Sequence, residues 1–159
     1  MEQFYTIKNN IEAEIVEKKS KFIANLIKVE SKEEAEEKIQ EIKKKYYDAR
    51  HNCVAYRVLE EGKVEEKASD DGEPSGTAGG PMLNILQKNN LSNVLIVVTR
   101  YFGGILLGTG GLVRAYSEAL QKAIEESTLI MKVSGIEMKL IVDYNNFEKF
   151  KYYCKNNNI

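Results

Sequence analysis

Residues 94–111, VLIVVTRYFGGILLGTGG, decide how this chain folds. From Asn93 to Phe102 the residues are almost all apolar, the pattern of a strand at the centre of a covered sheet. The glycine-rich turn that follows predicts delivery into a helix. Its buried stripe would be Leu112, Tyr116, Ala119, Leu120, Ala123 and Ile124. Around this stretch the composition is uneven. Nine of the 11 glycines and both prolines lie between Gly72 and Gly111, where the only charges are Glu73, Lys88 and Arg100, against 30% charged residues overall. Flexible linkers are also glycine-rich, but they do not carry an apolar run that must be buried. This stretch is therefore the heart of the fold, with glycine where backbone turns tightly or approaches something closely.

On either side the periodicities are easier to assign. Residues 4–8 and 11–17 read as short strands, and Lys21 to Val29 as a partner strand with Phe22, Ala24 and Leu26 on one face. Ser31-Lys-Glu-Glu34 is a capping box, followed at helical spacing by Ala35, Ile39, Ile42 and Tyr46. Asn52 to Leu59 and Val64 to Ser69 read as two strands joined by the turn Glu60-Glu-Gly-Lys63. The loop DDGEPSGTAGG leads into a short helix with Pro81 in its first turn. After Ser127 a strand over residues 128–142, with Ile136, Met138, Leu140 and Val142 on one face, is expected, then a helix after Asn145, whose Asn145-Asn-Phe-Glu148 resembles a capping box, with Phe147, Phe150 and Cys154 on one face. Strands in groups separated by helices predict an α+β fold, a β-sheet with helices on one face.

The 159 residues suit one domain with a core and a small appendage. Lys+Arg total 23 and Asp+Glu 24, a balance that argues against a surface basic throughout and leaves room for a local basic patch. The longest apolar run, Val94 to Val98, is too short to span a bilayer, so no membrane role is expected. Two cysteines, Cys53 and Cys154, and one histidine, His51, are too few for a Cys/His zinc site, and no metal or cofactor is expected. Without a leader or a cysteine framework, a cytoplasmic location is the default.

Three motifs carry candidate chemistry. Asp70, Asp71, Glu73, Ser75 and Thr77 crowd the loop before the second helix. Clustered carboxylates could hold a divalent ion or clamp an arginine, while turn and cap duty is their commoner use. Arg100 and Arg114 bracket Gly103, Gly104, Gly108, Thr109, Gly110 and Gly111. Open amides at a glycine-rich helix start suit an anion, and close backbone packing is the alternative use. Neither the P-loop nor the dinucleotide fingerprint fits, since Thr109 stands where the P-loop lysine belongs and Val113 where the fingerprint needs a small residue. In Arg50-His-Asn-Cys-Val-Ala-Tyr-Arg57, strand alternation puts His51, Cys53, Ala55 and Arg57 on one face. A cysteine and a histidine so placed suggest a nucleophile and its base. A buried, unreactive Cys53 beside a hydrogen-bonded His51 fits strand geometry better.

RHNCVAYR (50–57), ASDDGEPSGTAGGPML (68–83) and VLIVVTRYFGGILLGTGGLVRAYSEAL (94–120), in this order, resemble the YigZ/Impact family, with the likeness covering roughly residues 15–127. The resemblance implies a domain similar to the second domain of a small-subunit ribosomal protein, a fold also found in elongation factor G and GHMP kinases. It further implies that residues 1–127 are the Impact-type N-terminal domain and residues 128–159 the incomplete start of a ferredoxin-like domain. Eukaryotic relatives regulate translation under stress by binding a partner protein. The expected function is thus a binding module associated with translation, taking RNA, the ribosome or a translation factor. Arg50, Arg57, Arg100 and Arg114 would supply contacts, and a homodimer could form through the C-terminal segment. The alternative is an enzyme or sensor for a phosphorylated small molecule or nucleotide held by the glycine-rich loops, with no catalytic residue assigned.

Overall fold

The computed structural model describes residues 3–133 and 135–159. Strands β2 (Ile11–Glu17), β3 (Ser20–Lys28), β4 (His51–Glu60), β5 (Lys63–Ser69) and β6 (Val94–Tyr101) form one sheet in the order β2-β3-β6-β4-β5. Every neighbouring pair is antiparallel. As expected from its apolar run, β6 is central. Val94, Ile96 and Val98 enter one core with Phe22, Ala24, Leu26, Cys53 and Ala55, while Leu95 and Val97 enter a second with Val54, Tyr56 and Val58.

The α+β fold therefore has two covered faces. Helices α2 (Gly79–Lys88) and α3 (Gly108–Glu126) lie together on the first, with Met82, Leu86, Leu112, Tyr116, Ala119 and Leu120 buried. Helix α1 (Lys32–Lys45) covers the second with Ala35, Ile39 and Ile42. Its start is capped as read, the Glu34 amide donating to Ser31 Oγ over 3.1 Å.

Strand direction decides where the motifs meet. Because β2, β5 and β6 run one way and β3 and β4 the other, one end of the sheet gathers the β2–β3 turn, the approach to β4, and the loops leading into α2 and α3. All three sequence motifs reach this end with at least part of their length.

Strands β1 (Gln3–Ile7) and β7 (Leu129–Val133) pair as a separate antiparallel ribbon. It is tied to the main core through Ile7, and the Tyr5 amide donates to the Asn90 carbonyl over 2.9 Å. The strand expected after Ser127 forms only in its first part, as β7; it ends at Val133, and residues 135–143, with Ile136, Met138, Leu140 and Val142, take no regular secondary structure. The alternation there is real, but its apolar side chains have no covering surface, and Ile136 stays 88% exposed. A strand needs a paired neighbour, and alternation alone does not supply one. Helix α4 (Tyr144–Asn157) starts one residue earlier than Asn145, capped by Asp143, whose Oδ1 accepts from the Asn146 amide at 2.9 Å. None of its residues is buried.

Candidate functional site

The site is built around Glu73. It stands in the loop between β5 and α2, and its side chain is only 3% exposed. Arg100 Nη1 and the Tyr116 hydroxyl both donate to its Oε1, over 2.8 and 2.7 Å. Its Oε2 faces His51 Nε2 at 3.9 Å. Cross-strand register explains the meeting: Arg100 on β6 lies opposite His51 on β4 and Phe22 on β3, so all three project from the same sheet face. Phe22 meets Tyr116 edge-on, with ring centroids 5.1 Å apart. The expected contact between one of the acids and Arg100 is thus present, and it joins the two glycine-rich segments through β6 and α3.

The other two carboxylates turn elsewhere. Asp70 Oδ1 accepts from the Ala78 and Gly79 amides at 3.1 and 2.9 Å, and Oδ2 from Gly76 at 2.8 Å. It does the work of an N-cap for α2, whose own cap residue Ala78 has no suitable side chain. Burial works against its charge, yet the three amides outweigh that and hold its carboxyl below the usual range. Asp71 Oδ2 accepts from the Asn52 amide at 2.8 Å, and Lys43 Nζ donates to Oδ1 over 3.1 Å. The three acids thus act as a clamp, a helix cap and a tie to β4 and α1, each aimed at a different partner rather than at one shared point.

Cys53 lies under the same loop, fully buried, its thiol donating to the Asp70 carbonyl over 3.0 Å. Burial pushes the thiol up to about 12. A nucleophile needs its thiolate, so the arrangement keeps this sulfur a thiol. His51 Nδ1 is 2.9 Å from the Asp71 carbonyl, which assigns the ring proton to that nitrogen.

The four arginines separate. Arg100 is buried at 7% exposure and committed to Glu73, which corrects its assignment as an external contact: its charge is spent inside. Arg57 donates to Glu66 Oε1 and to the Leu91 carbonyl, over 2.8 and 3.0 Å. It stands six strand positions from His51, roughly 20 Å at the strand rise, so it does not belong to this end of the sheet. Arg50 and Arg114 are exposed, and neither forms an ion pair among the described residues.

Around the start of α3 the surface opens. Its N-cap, Leu107, offers no side-chain hydrogen bond to the first-turn amides. Gly104 and Gly108 adopt φ of 89° and 72°, conformations that favour glycine. Arg114 lies along Gly110, with Nη1 3.4 Å from where a Cβ there would stand. Thr109, Gly110 and Ser75 are exposed. Glu17, Lys18, Leu107, Gly111, Arg114 and Glu118 line a shallow cleft.

Two residues here were not assigned a role from sequence. Lys18 and Lys19 form the tight β2–β3 turn, both at positive φ, 45° and 65°. Neither is paired among the described residues. The available signal was their place as the two residues between two alternating strands; lysine itself does not mark such a turn, whose usual residues are Asn, Asp and Gly.

The Impact N-terminal domain matches residues 18–124. The Bacillus subtilis (strain 168) protein named IMPACT family member YvyE is 45% identical over 144 residues, covering 91% of this chain and 66% of that protein. A Dictyostelium discoideum protein named Protein IMPACT homolog is 48% identical over 97 residues, covering 59% of this chain and 28% of its own length. A crystal structure described as that of an hypothetical protein superposes with TM-score 0.79 at 34% identity, over 98% of this chain and 76% of that one. This chain thus spans about two thirds of the length of its Bacillus relative.

Proposed function

The chain belongs to the Impact family, and on that premise we propose that it is a binding module of translation or its regulation, with RNA as the ligand of the surface at the start of α3. The observation that carries this reading is the division of labour among the cations. Arg100 and Arg57 are neutralised within the fold, whereas Lys18, Lys19 and Arg114, near the uncapped start of α3, form no ion pair among the described residues. Unpaired cations beside such amides suit a chain of phosphates. Arg50, at the same end of the sheet and exposed, extends the patch. Translation enters through the family resemblance, whose eukaryotic members act in that process by binding a partner protein.

The test is purification from lysate at low and high salt, followed by titration with short RNA. Co-purifying RNA or ribosomes should fall away as salt rises, and a Lys18→Ala/Arg114→Ala variant should bind RNA more weakly with a shallower salt dependence. Equal binding by that variant would move the site elsewhere. A second reading, a phosphorylated small molecule held by its phosphate, is favoured by Lys18 and Arg114 lining one cleft beside the uncapped start of α3. Saturable binding of such a compound, with no binding of RNA, would support it instead.

A further inference from the structure

Resting on the reading of this end as an RNA surface, we propose that Phe102 is a stacking platform for an unpaired base of single-stranded RNA. The side chain is 56% exposed, yet it is fixed from behind. The Arg100 guanidinium carbon lies over its ring, 5.7 Å from the centroid, and 5.6 Å from the Phe22 ring. Arg100 is in turn held by Glu73 at 2.8 Å and by Ser20 Oγ at 3.4 Å. The backbone is held as well: the Gly103 amide donates to Ser20 Oγ over 3.3 Å, and Gly103 packs so closely on Lys19 that a Cβ would strike its carbonyl group.

Single exposed apolar side chains are ordinary on protein surfaces. What sets Phe102 apart is a ring with a cation fixed over it, more than half of its surface exposed, and, alongside, cations that form no ion pair among the described residues. Lys19 adjoins its loop at Gly103, and Lys18 and Arg114 flank Leu107 at the loop's far end. Glu17 and Glu118 also line that flank. A polyanion with flat bases matches both parts at once, phosphates on the lysines and arginine, and a base on the ring. Stacking needs an unstacked base, so a single strand or loop is favoured over duplex. Ile105 and Leu106, also exposed, follow in the same loop.

The chain has no tryptophan, so Phe102→Trp introduces a lone reporter in a ring-preserving change. Titration with a short oligoadenylate should quench its emission, and the same strand annealed to its complement should not. Phe102→Leu should weaken single-strand binding roughly 5- to 150-fold while leaving the salt slope and the thermal midpoint unchanged. The platform is overturned if Phe102→Leu binds like the parent and the indole emission of Phe102→Trp does not respond, while Lys18→Ala/Arg114→Ala still loses affinity; the RNA reading then survives alone. If neither the parent nor any variant binds either RNA, both readings fall.

Discussion

Arg100 and Glu73 form an ion pair of 2.8 Å between two side chains that are 7% and 3% exposed. Burying two charges is costly, and their attraction recovers that cost only with good geometry and satisfied neighbours. Tyr116 and Ser20 supply neighbours, while Arg100 Nε is left without a partner. Removing the second member should therefore hurt less than removing the first. Arg100→Met or Glu73→Leu alone should lower stability by about 3–5 kcal/mol, and the double variant should lose less than either loss added to the other. Urea denaturation of the four proteins checks it; strict additivity would show that the pair is not coupled.

Asp70 gives a pH signature. Its carboxyl is held below the usual value near 3.8: burial opposes the charge, and the Gly76, Gly79 and Ala78 amides more than offset it. A carboxyl lowered in the folded state adds stability above its unfolded value and loses it as pH falls through the folded one. The stability gap between the protein and Asp70→Asn should be full at neutral pH and shrink steadily below about pH 4. Asp70→Ala should cost about 1–2 kcal/mol at neutral pH, as loss of a helix cap does. A gap that stays constant into acid would mean the amides do not favour the charged form.

The two cysteines should behave differently. Cys53 is fully buried with its thiol pushed up to about 12, whereas Cys154 is partly exposed on α4. A thiol reagent at neutral pH should modify one group promptly and the second only with unfolding. In Cys154→Ser no fast reaction should remain. Fast labelling of that variant would restore Cys53 as a candidate nucleophile.

The strands and the buried stripes were legible because each depends on its own residues: the apolar run of β6, the capping box at Ser31, the helical spacing from Leu112 to Ala123. Two kinds of feature were not. The second covered face depends on where α1 returns, which periodicity within α1 does not specify. The fate of each arginine depends on cross-strand register. Arg57 and Arg100 look alike in sequence, yet pairing sends one to Glu66 and the other to Glu73. Lys18 and Lys19 gained interest only when antiparallel pairing set their turn beside Gly103.

Glycines in the central stretch have separable duties, and two substitutions distinguish them. A Cβ at Gly103 would collide with the Lys19 backbone, while one at Gly80 meets nothing within 4 Å. Gly103→Ala should cost about 1–3 kcal/mol, since backbone cannot swing aside as a long side chain can. Gly80→Ala, within α2, should be neutral or gain up to about 1 kcal/mol through helix propensity. Thermal midpoints moving in opposite directions bear this out; a Gly103→Ala midpoint equal to the parent would show that the two loops are not tightly apposed.

The proposed division into residues 1–127 and 128–159 meets a strand that lies just beyond it. β7 pairs with β1 from Leu129 opposite Ile7 to Val133 opposite Gln3, and Ile7 is fully buried in the main core. Helix α4 has no buried residue, and Ile136, Met138 and Leu140 are exposed. A chain ended after Val133 should therefore keep the unfolding midpoint of the parent. One ended after Ser127 strips β1 of its partner and should lose stability, by up to about 1.5–3 kcal/mol if Ile7 becomes exposed. Urea titration of the two shortened chains separates the cases. Equal midpoints would mean that β7 adds nothing to the domain and that the domain ends at residue 127. A fall on cutting after Val133 would mean that residues beyond the ribbon stabilise the core through contacts the fold gives no reason to expect.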